Sequence, residues 1–185
     1  MAEGSAAPTR GRMTVAEFLE FDDGTDTRHE LAAGELVAMS PPNVRHTVLV
    51  RNLFRALDRA LSPPCWVFSG GGVAARDEAE DYGVPDLFVT CAPSEGAAYF
   101  DRPRLLVEIL SRSTAREGRT AKLDFYKSLP SAQAVLFVWQ DTRRAELHLR
   151  REDGWLVTDT IKQGRVEVAG LGLTLTLDDI YAELD

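Results

Sequence analysis

The chain has 185 residues, of which 44% are hydrophobic and 27% are charged, the balance expected of one globular domain with a substantial core. The formal net charge of -8 argues against a protein that coats nucleic acid by bulk electrostatic attraction, because phosphate contacts need lysine and arginine. The charge does not exclude an enzyme of phosphodiester chemistry, since a site that holds divalent cations must itself be acidic.

The ends of the chain and its cysteines carry little sign of targeting or of metal binding. No apolar run approaches the roughly 20 residues of a membrane span, and residues 1–12 lack the apolar segment of a signal peptide. We therefore expect a cytoplasmic protein with a disordered lead over 1–12 and a single domain over 13–185. Cys65 and Cys91 stand outside any CxxC spacing, which argues against a thiolate zinc site. Two reduced thiols are expected, with one disulfide as the alternative.

Helix and strand patterns follow one another along the domain. Thr14 and Glu17 form a capping box, and apolar residues at spacings of three and four mark the second helix. In chain order, the predicted elements are a helix from Thr14 to about Glu20, two short strands within 29–39 that turn at Gly34, a helix from His46 to about Leu61, strands over 66–69, 73–76, 85–90 and 104–111, a helix over 119–128, a strand over 134–139, a hairpin of 145–150 with 155–160, and a helix from Thr176 to about Leu184. This order predicts an α/β (α+β) domain in which helices flank a mixed central sheet.

One carboxylate, Glu108, interrupts the apolar strand predicted over 104–111. A strand that is apolar on both faces is normally buried on both faces. An unpaired carboxylate there would cost several kcal/mol or would be forced to protonate. The sequence therefore predicts a compensating cation beside Glu108, either a basic side chain or a metal ion.

A second carboxylate, Asp86, stands at the start of the strand predicted over 85–90. Aspartate is a poor strand residue, but at a strand mouth it can point into a cleft at the sheet edge. We expect Asp86 and Glu108 to converge from neighbouring strands. Two convergent oxygen ligands suit Mg²⁺ or Mn²⁺, which keep several waters and take few protein carboxylates.

Two further side chains complete the predicted site. Lys122 lies on the helix that follows Glu108, where a lysine can orient the attacking water or neutralise charge that develops on phosphorus. His46 stands at the first turn of the second helix, in line with its apolar stripe, and so points toward the core or its mouth. These residue types together indicate metal-assisted phosphodiester hydrolysis.

An ordered set of motifs over about 14–150 resembles the Uma-type restriction endonuclease family, which is expanded in cyanobacteria and belongs to the PD-(D/E)xK nuclease superfamily. Each motif alone is weak, whereas their order is fairly specific. The motifs are His29-Glu30-Leu31, Gly34-Glu35-Leu36-Val37, Met39-Ser40-Pro41-Pro42, His46, Val84-Pro85-Asp86-Leu87, Val107-Glu108-Ile109-Leu110-Ser111-Arg112-Ser113-Thr114, Lys122-Leu123-Asp124-Phe125-Tyr126 and Val135-Leu136-Phe137-Val138-Trp139.

The resemblance implies a restriction-endonuclease-like core that acts on DNA. It makes Asp86 and Glu108 metal ligands and Lys122 the catalytic lysine. It also implies that Glu30 or Glu35 is a further acid of the site and that His46 is an auxiliary group. The sequence departs from the wider superfamily two positions after Glu108, where leucine stands in place of the usual lysine.

Each candidate also has a purely structural explanation. A buried Glu108 could pair with Arg104 or Arg112, and Glu35 could face solvent beyond the Gly34 turn. Asp86 could be a turn residue, Lys122 a solvated helix lysine, His46 a locally bonded helix start, and the glycines at 70–72 a turn rather than a phosphate loop.

Two functions follow from these patterns. The first is a Mg²⁺- or Mn²⁺-dependent endonuclease, which we expect to be a homodimer because cutting two strands suits two-fold symmetry. The second is a catalytically inactive binding or assembly module that keeps the nuclease fold. In the first case a basic cluster would contact DNA, and neutralising Arg116 and Arg119 would weaken binding. This cluster comprises Arg112, Arg116, Arg119 and Lys122.

Overall fold

A computed structural model describes residues 12–93, 96–111 and 117–184. The helices are α1 (Val15–Leu19), α2 (Val44–Ala60), α3 (Glu117–Ser128) and α4 (Leu177–Ile180), with one 3₁₀ turn at Ala169–Leu171. The strands are β1 (His29–Ala32), β2 (Glu35–Ala38), β3 (Trp66–Phe68), β4 (Leu87–Thr90), β5 (Pro103–Leu110), β6 (Ala134–Trp139), β7 (Arg144–Arg151), β8 (Gly154–Ile161), β9 (Arg165–Val168) and β10 (Leu173–Thr176). Of the lead expected over 1–12, residues 1–11 lie outside the described ranges.

Six strands form the central sheet in the order β3-β4-β5-β6-β7-β8. β5 and β6 run parallel, and the other neighbouring pairs run antiparallel. A parallel pair needs a crossover connection, and α3 is the helix in that connection. The predicted mixed α/β domain is therefore confirmed, and β5 lies inside the sheet with a strand on each side.

The two faces of the sheet are covered by different helices. On one face, α2 packs with the β9–β10 hairpin and α4 over Leu105, Val107 and Ile109 of β5. On the other face, α3 packs over Leu106 and Leu110. Because successive side chains of a strand point to opposite faces, Glu108 shares the α3 face with Leu106 and Leu110.

Side-chain caps mark the starts of α1 and α2. The capping box at α1 is present, with Thr14 accepting from the backbone N–H of Glu17. Asn43 caps α2 by accepting from the backbone N–H of His46, so that helix begins two residues before the predicted start. α4 ends at Ile180, well before the predicted Leu184. No helix in the described part of the chain is long and apolar enough to cross a membrane.

Two strand predictions need correction. The strand predicted over 73–76 is absent, since Val73 forms only isolated bridges to Gly83 and Phe100. The β9–β10 hairpin was not predicted, because four-residue strands such as Arg165–Val168 alternate too briefly to stand out. Its inward residues Val166 and Leu175 are buried against the central sheet.

The expectation of two reduced cysteines is also wrong. β3 and β4 run antiparallel with Trp66 opposite Thr90, which places Cys65 and Cys91 opposite each other just beyond the paired residues. The two form a disulfide between the edge strand and its neighbour. The sequence alone could not show this pairing, since it depends on the strand register.

Candidate active site

Asp86 and Glu108 meet where β4 begins and β5 approaches its end. The two strands are antiparallel, with Leu87 opposite Val107, so Asp86 lies beside the end of β5. Asp86 Oδ2 accepts a hydrogen bond of 2.7 Å from the backbone N–H of Ile109. This bond fixes the Asp86 carboxylate next to the residue that follows Glu108.

Glu108 is buried on the α3 face of the sheet, with 6% of its surface exposed. Its Oε1 accepts a hydrogen bond of 3.0 Å from Lys122 Nζ and one of 2.5 Å from the hydroxyl of Tyr126. Both donors stand on α3, four residues apart, and so project from the same face of the helix. The compensating cation predicted for Glu108 is therefore Lys122. Arg104, the structural alternative, instead donates to Gln133 over 2.7 Å.

Glu30 joins the same group from β1. Lys122 Nζ donates to Glu30 Oε1 at 3.0 Å, and the backbone N–H of Val84 donates to the same oxygen at 2.8 Å. Lys122 is thus held between two carboxylates, Glu30 and Glu108, that come from different strands. Three elements, β1, β5 and α3, together fix the position of its ammonium group.

His46 approaches from the first turn of α2. Its Nε2 lies 3.1 Å from Asp86 Oδ1, and its Nδ1 is buried without a hydrogen-bond partner among the described residues. The hydrogen bond with Asp86 raises the pKa of His46, and burial opposes that rise only in part. Asp86 therefore stabilises the charged form of the imidazole.

Glu35 does not join this group. It lies exposed on β2, opposite Ala32, and takes part in none of the contacts around Lys122 in the part of the chain that the structure describes. Of the two acids proposed on this hairpin, Glu30 is the one that reaches Lys122.

The electrostatics of the group follow from its burial. The pKa of Glu108 is raised to about 7: burial is the largest cause, Lys122 and the Tyr126 hydrogen bond lower the pKa, and the neighbouring carboxylates Asp86 and Glu30 raise it. Burial lowers the pKa of Lys122, but Glu108 and Glu30 more than compensate, so the net shift is upward. Lys122 stays charged, and additional positive charge nearby would stabilise the ionised form of Glu108.

Asp86 and Glu108 are the side chains of this group that could hold a small divalent cation. Among the described residues, no group of three or more histidine, cysteine, aspartate and glutamate side chains is arranged to hold a metal ion. Such a group is what structural zinc and most calcium sites require. Mg²⁺ usually keeps several waters and takes only one or two carboxylates, which Asp86 and Glu108 can supply.

Comparisons with known proteins agree with the fold. The sequence profile of the Uma2 family, described as "Putative restriction endonuclease", matches residues 15–178. The chain belongs to this family. The resemblance drawn from the ordered motifs is thereby confirmed, and the Uma2 match covers the segments that carry all six side chains of the group.

Relatives of this Uma2 chain extend over nearly its whole length. It is 27% identical over 177 residues to "Uncharacterized protein slr1290" of Synechocystis sp., covering 94% of this chain and 93% of the relative. It is 27% identical over 156 residues to "Uncharacterized protein sll1609" of the same organism, covering 80% and 86%. A crystal structure of a "putative nuclease belonging to DUF820" from Anabaena variabilis superimposes with a TM-score of 0.75 at 18% identity, covering 92% of this chain and 98% of that one. At that identity the superposition shows a shared fold.

Tyr126 is a residue of the candidate site that the sequence did not predict. Tyr126 is fully buried, and its pKa is raised well above the ordinary value because of burial and the nearby Glu108 carboxylate. A signal was present, since an (i, i+4) spacing puts Tyr126 on the same helix face as Lys122.

A second ionic cluster lies two strands away on the same face. In register, Glu108 of β5 stands opposite Phe137 of β6, which stands opposite Glu146 of β7. Glu146 is 6% exposed and contacts Arg119 of α3, Arg144 at 3.4 Å and His148 at 2.6 Å. Arg119 of the predicted basic cluster is therefore bound to a buried carboxylate. Arg112 and Arg116 lie outside the described residues.

Proposed function

We propose that the protein is a Mg²⁺- or Mn²⁺-dependent endonuclease that hydrolyses phosphodiester bonds of DNA. The observation that carries the proposal is the convergence of Asp86 and Glu108, from adjacent strands, with Lys122 3.0 Å from Glu108. The family supports nuclease chemistry in general. The metal and the DNA substrate are inferred from the chemistry of the side chains.

Asp86 and Glu108 are the residues that would hold the cation. A divalent cation bound there would polarise a phosphoryl oxygen and lower the pKa of a bound water. The chain contributes rigidity: the Ile109 N–H orients Asp86, and the Tyr126 hydroxyl orients Glu108. Carboxylates held in this way need little rearrangement when they take up their ligand.

Lys122 and His46 supply positive charge to the reacting phosphate. Glu30 and Glu108 hold the Lys122 ammonium group at the site, where it can orient the attacking water and stabilise negative charge that develops on the phosphoryl oxygens. The His46 imidazolium, beside Asp86, can donate a proton to the departing oxygen.

The test is nicking of supercoiled plasmid DNA with Mg²⁺, with Mn²⁺ and with EDTA. The wild-type protein is expected to nick with either metal and to be inactive in EDTA, and Asp86→Ala is expected to lose the activity. Asp58→Ala is a matched control, because Asp58 is exposed on α2. Equal nicking by the wild type and Asp86→Ala would contradict the proposal.

A second candidate is a catalytically inactive binding module with the same fold. The observations that favour it are the net charge of -8 and the leucine that stands two positions after Glu108 in place of the usual lysine. Calorimetric titration with Mn²⁺ separates the two candidates. Binding by the wild type that Glu108→Gln abolishes supports the endonuclease, whereas no binding by the wild type supports the module.

The proposal includes a homodimer, because a two-fold axis matches the symmetry of the two strands of a DNA duplex. The described chain contains one set of Asp86, Glu108 and Lys122. One set cuts one strand per encounter, so two sets related by a two-fold axis would cut both.

A further inference from the structure

The outer edge of β8 is an uncovered edge of the central sheet. β8 is the last strand of the sheet, and all eight of its residues pair with β7, without a bulge. No strand in the described part of the chain pairs with its other side. A regular edge of this length offers a row of backbone N–H and C=O groups to another strand.

Large apolar side chains are concentrated on this edge strand. The exposed fractions are 49% for Leu156, 51% for Val157 and 56% for Ile161. Between Gly154 and Ile161 the single charged residue is Asp159, which Arg144 already contacts at 2.9 Å. Strand edges that stay monomeric usually carry lysine, proline or a bulge, and β8 has none of these between its ends.

The opposite edge of the sheet differs in each respect. β3 has only three residues, follows Pro63 and Pro64, and is tied to its neighbour by the disulfide at Cys65. Short, proline-flanked edges resist strand addition. The contrast within one sheet indicates that the exposure of β8 is specific to that edge.

We propose that β8 is the homodimer interface, where it pairs antiparallel with β8 of a second copy of this chain. The charges next to the strand favour this occupant. Glu152 and Asp153 precede β8, whereas Lys162 and Arg165 follow it, and all four are exposed. Antiparallel pairing about a two-fold axis sets the acidic end of one copy against the basic end of the other at both ends of the interface.

The register that best fits these charges has the two-fold axis at Val157. It places Val157 opposite Val157 of the second copy and brings the turn at Glu152 close to Lys162 of the second copy. A register centred on Asp159 would instead oppose two like charges, which is destabilising. Seven strand spacings of about 4.8 Å would then separate Glu108 from its counterpart, so each site stays within one chain.

The first test is the mass of the protein in solution by light scattering after size exclusion, without DNA or metal. The wild type is expected at twice the chain mass of 20.4 kDa, and Val157→Lys at the chain mass. Val37→Lys is the matched control and stays dimeric, since Val37 is 45% exposed on the β1–β2 hairpin. A monomeric wild type, or a dimeric Val157→Lys, overturns the proposal.

The second test uses Val157→Cys and reports the register without relying on a disruptive variant. Residues that face each other across the axis are close enough for a disulfide, so Val157→Cys is expected to form a covalent dimer on non-reducing gels. Val37→Cys is expected to stay uncrosslinked. Absence of the crosslink in a dimeric protein overturns the proposed interface. Neither test involves DNA cleavage, so a failure here is distinguishable from a failure of the proposed endonuclease activity.

Discussion

Asp86 and Ile109 are joined by a hydrogen bond of 2.7 Å from the Ile109 backbone N–H to Asp86 Oδ2. The bond joins Asp86, which directly precedes β4, to the residue of β5 that follows Glu108. It therefore couples the position of one proposed metal ligand to the strand that carries the other. Asp86 has two separable tasks, accepting this bond and carrying a negative charge.

Asp86→Asn separates these tasks. The amide oxygen can still accept from Ile109, so the melting temperature is expected to stay close to that of the wild type. The lost charge removes a metal ligand of the anionic kind that Mg²⁺ prefers, and plasmid nicking is expected to fall by about 100-fold or more. Nicking rates check the expected loss of activity, and thermal denaturation checks the expected melting temperature. Full activity with Mg²⁺ would show that Asp86 is not a ligand.

The pKa of Glu108 makes the stability of the fold depend on pH. Burial raises that pKa from its ordinary value of 4.5 to about 7. Between these values the folded state binds more protons than the unfolded state, so stability falls as pH rises through the window. Glu108→Gln cannot titrate at this position. The stability of this variant relative to the wild type is therefore expected to rise by up to about 3 kcal/mol from pH 5 to pH 8.

Urea denaturation in EDTA at the two pH values measures this difference. Glu152→Gln is a suitable control, since Glu152 is exposed in the β7–β8 turn and should leave the pH dependence unchanged. Parallel pH dependence in the wild type and Glu108→Gln would contradict the raised pKa of Glu108.

Tyr126→Phe removes one of the two groups that lower the pKa of Glu108. The hydroxyl donates to Glu108 Oε1 over 2.5 Å, so its loss raises the pKa of Glu108 further. The pH at which Mg²⁺-dependent nicking is half-maximal is expected to move up, by about one unit. Tyr99→Phe, which loses a bond to the exposed Asp77, serves as the control. A downward shift of the profile would be incompatible with this role.

The sequence was sufficient to find the residues at the centre of the candidate site. A lone carboxylate in an apolar strand needs compensation wherever the strand is buried, so Glu108 could be singled out on physical grounds. Asp86 followed from its place at a strand mouth, and the β4–β5 pairing does bring the two together. The link from Lys122 to Glu108 came from the resemblance, and the structure shows the contact.

Other features depend on long-range geometry that local patterns do not contain. The Cys65–Cys91 disulfide requires the register of β3 on β4. The choice of Glu30 over Glu35 requires knowing which residue of the β1–β2 hairpin approaches α3. The pairing of Arg119 with Glu146 spans a helix and a strand that are far apart in sequence. In each case the deciding contact is tertiary.

We expect Arg119 to stabilise the folded protein. It contacts the buried Glu146 carboxylate, and its guanidinium lies 5.1 Å from the centre of the Phe137 ring. Arg119→Met keeps the apolar stem but removes the charge, leaving Glu146 with Arg144 and His148. We expect a loss of about 1–3 kcal/mol in the free energy of unfolding, because a buried carboxylate loses one of its charged partners.

Urea denaturation checks this loss, and Arg151→Met, at the exposed end of β7, should change stability by less than about 0.5 kcal/mol. Adding Glu146→Gln to Arg119→Met should recover part of the loss, since the carboxylate that needs compensation is then gone. DNA affinity at low salt measures the other role predicted for Arg119. Unchanged stability together with weaker DNA binding would place Arg119 on the substrate instead of in the fold.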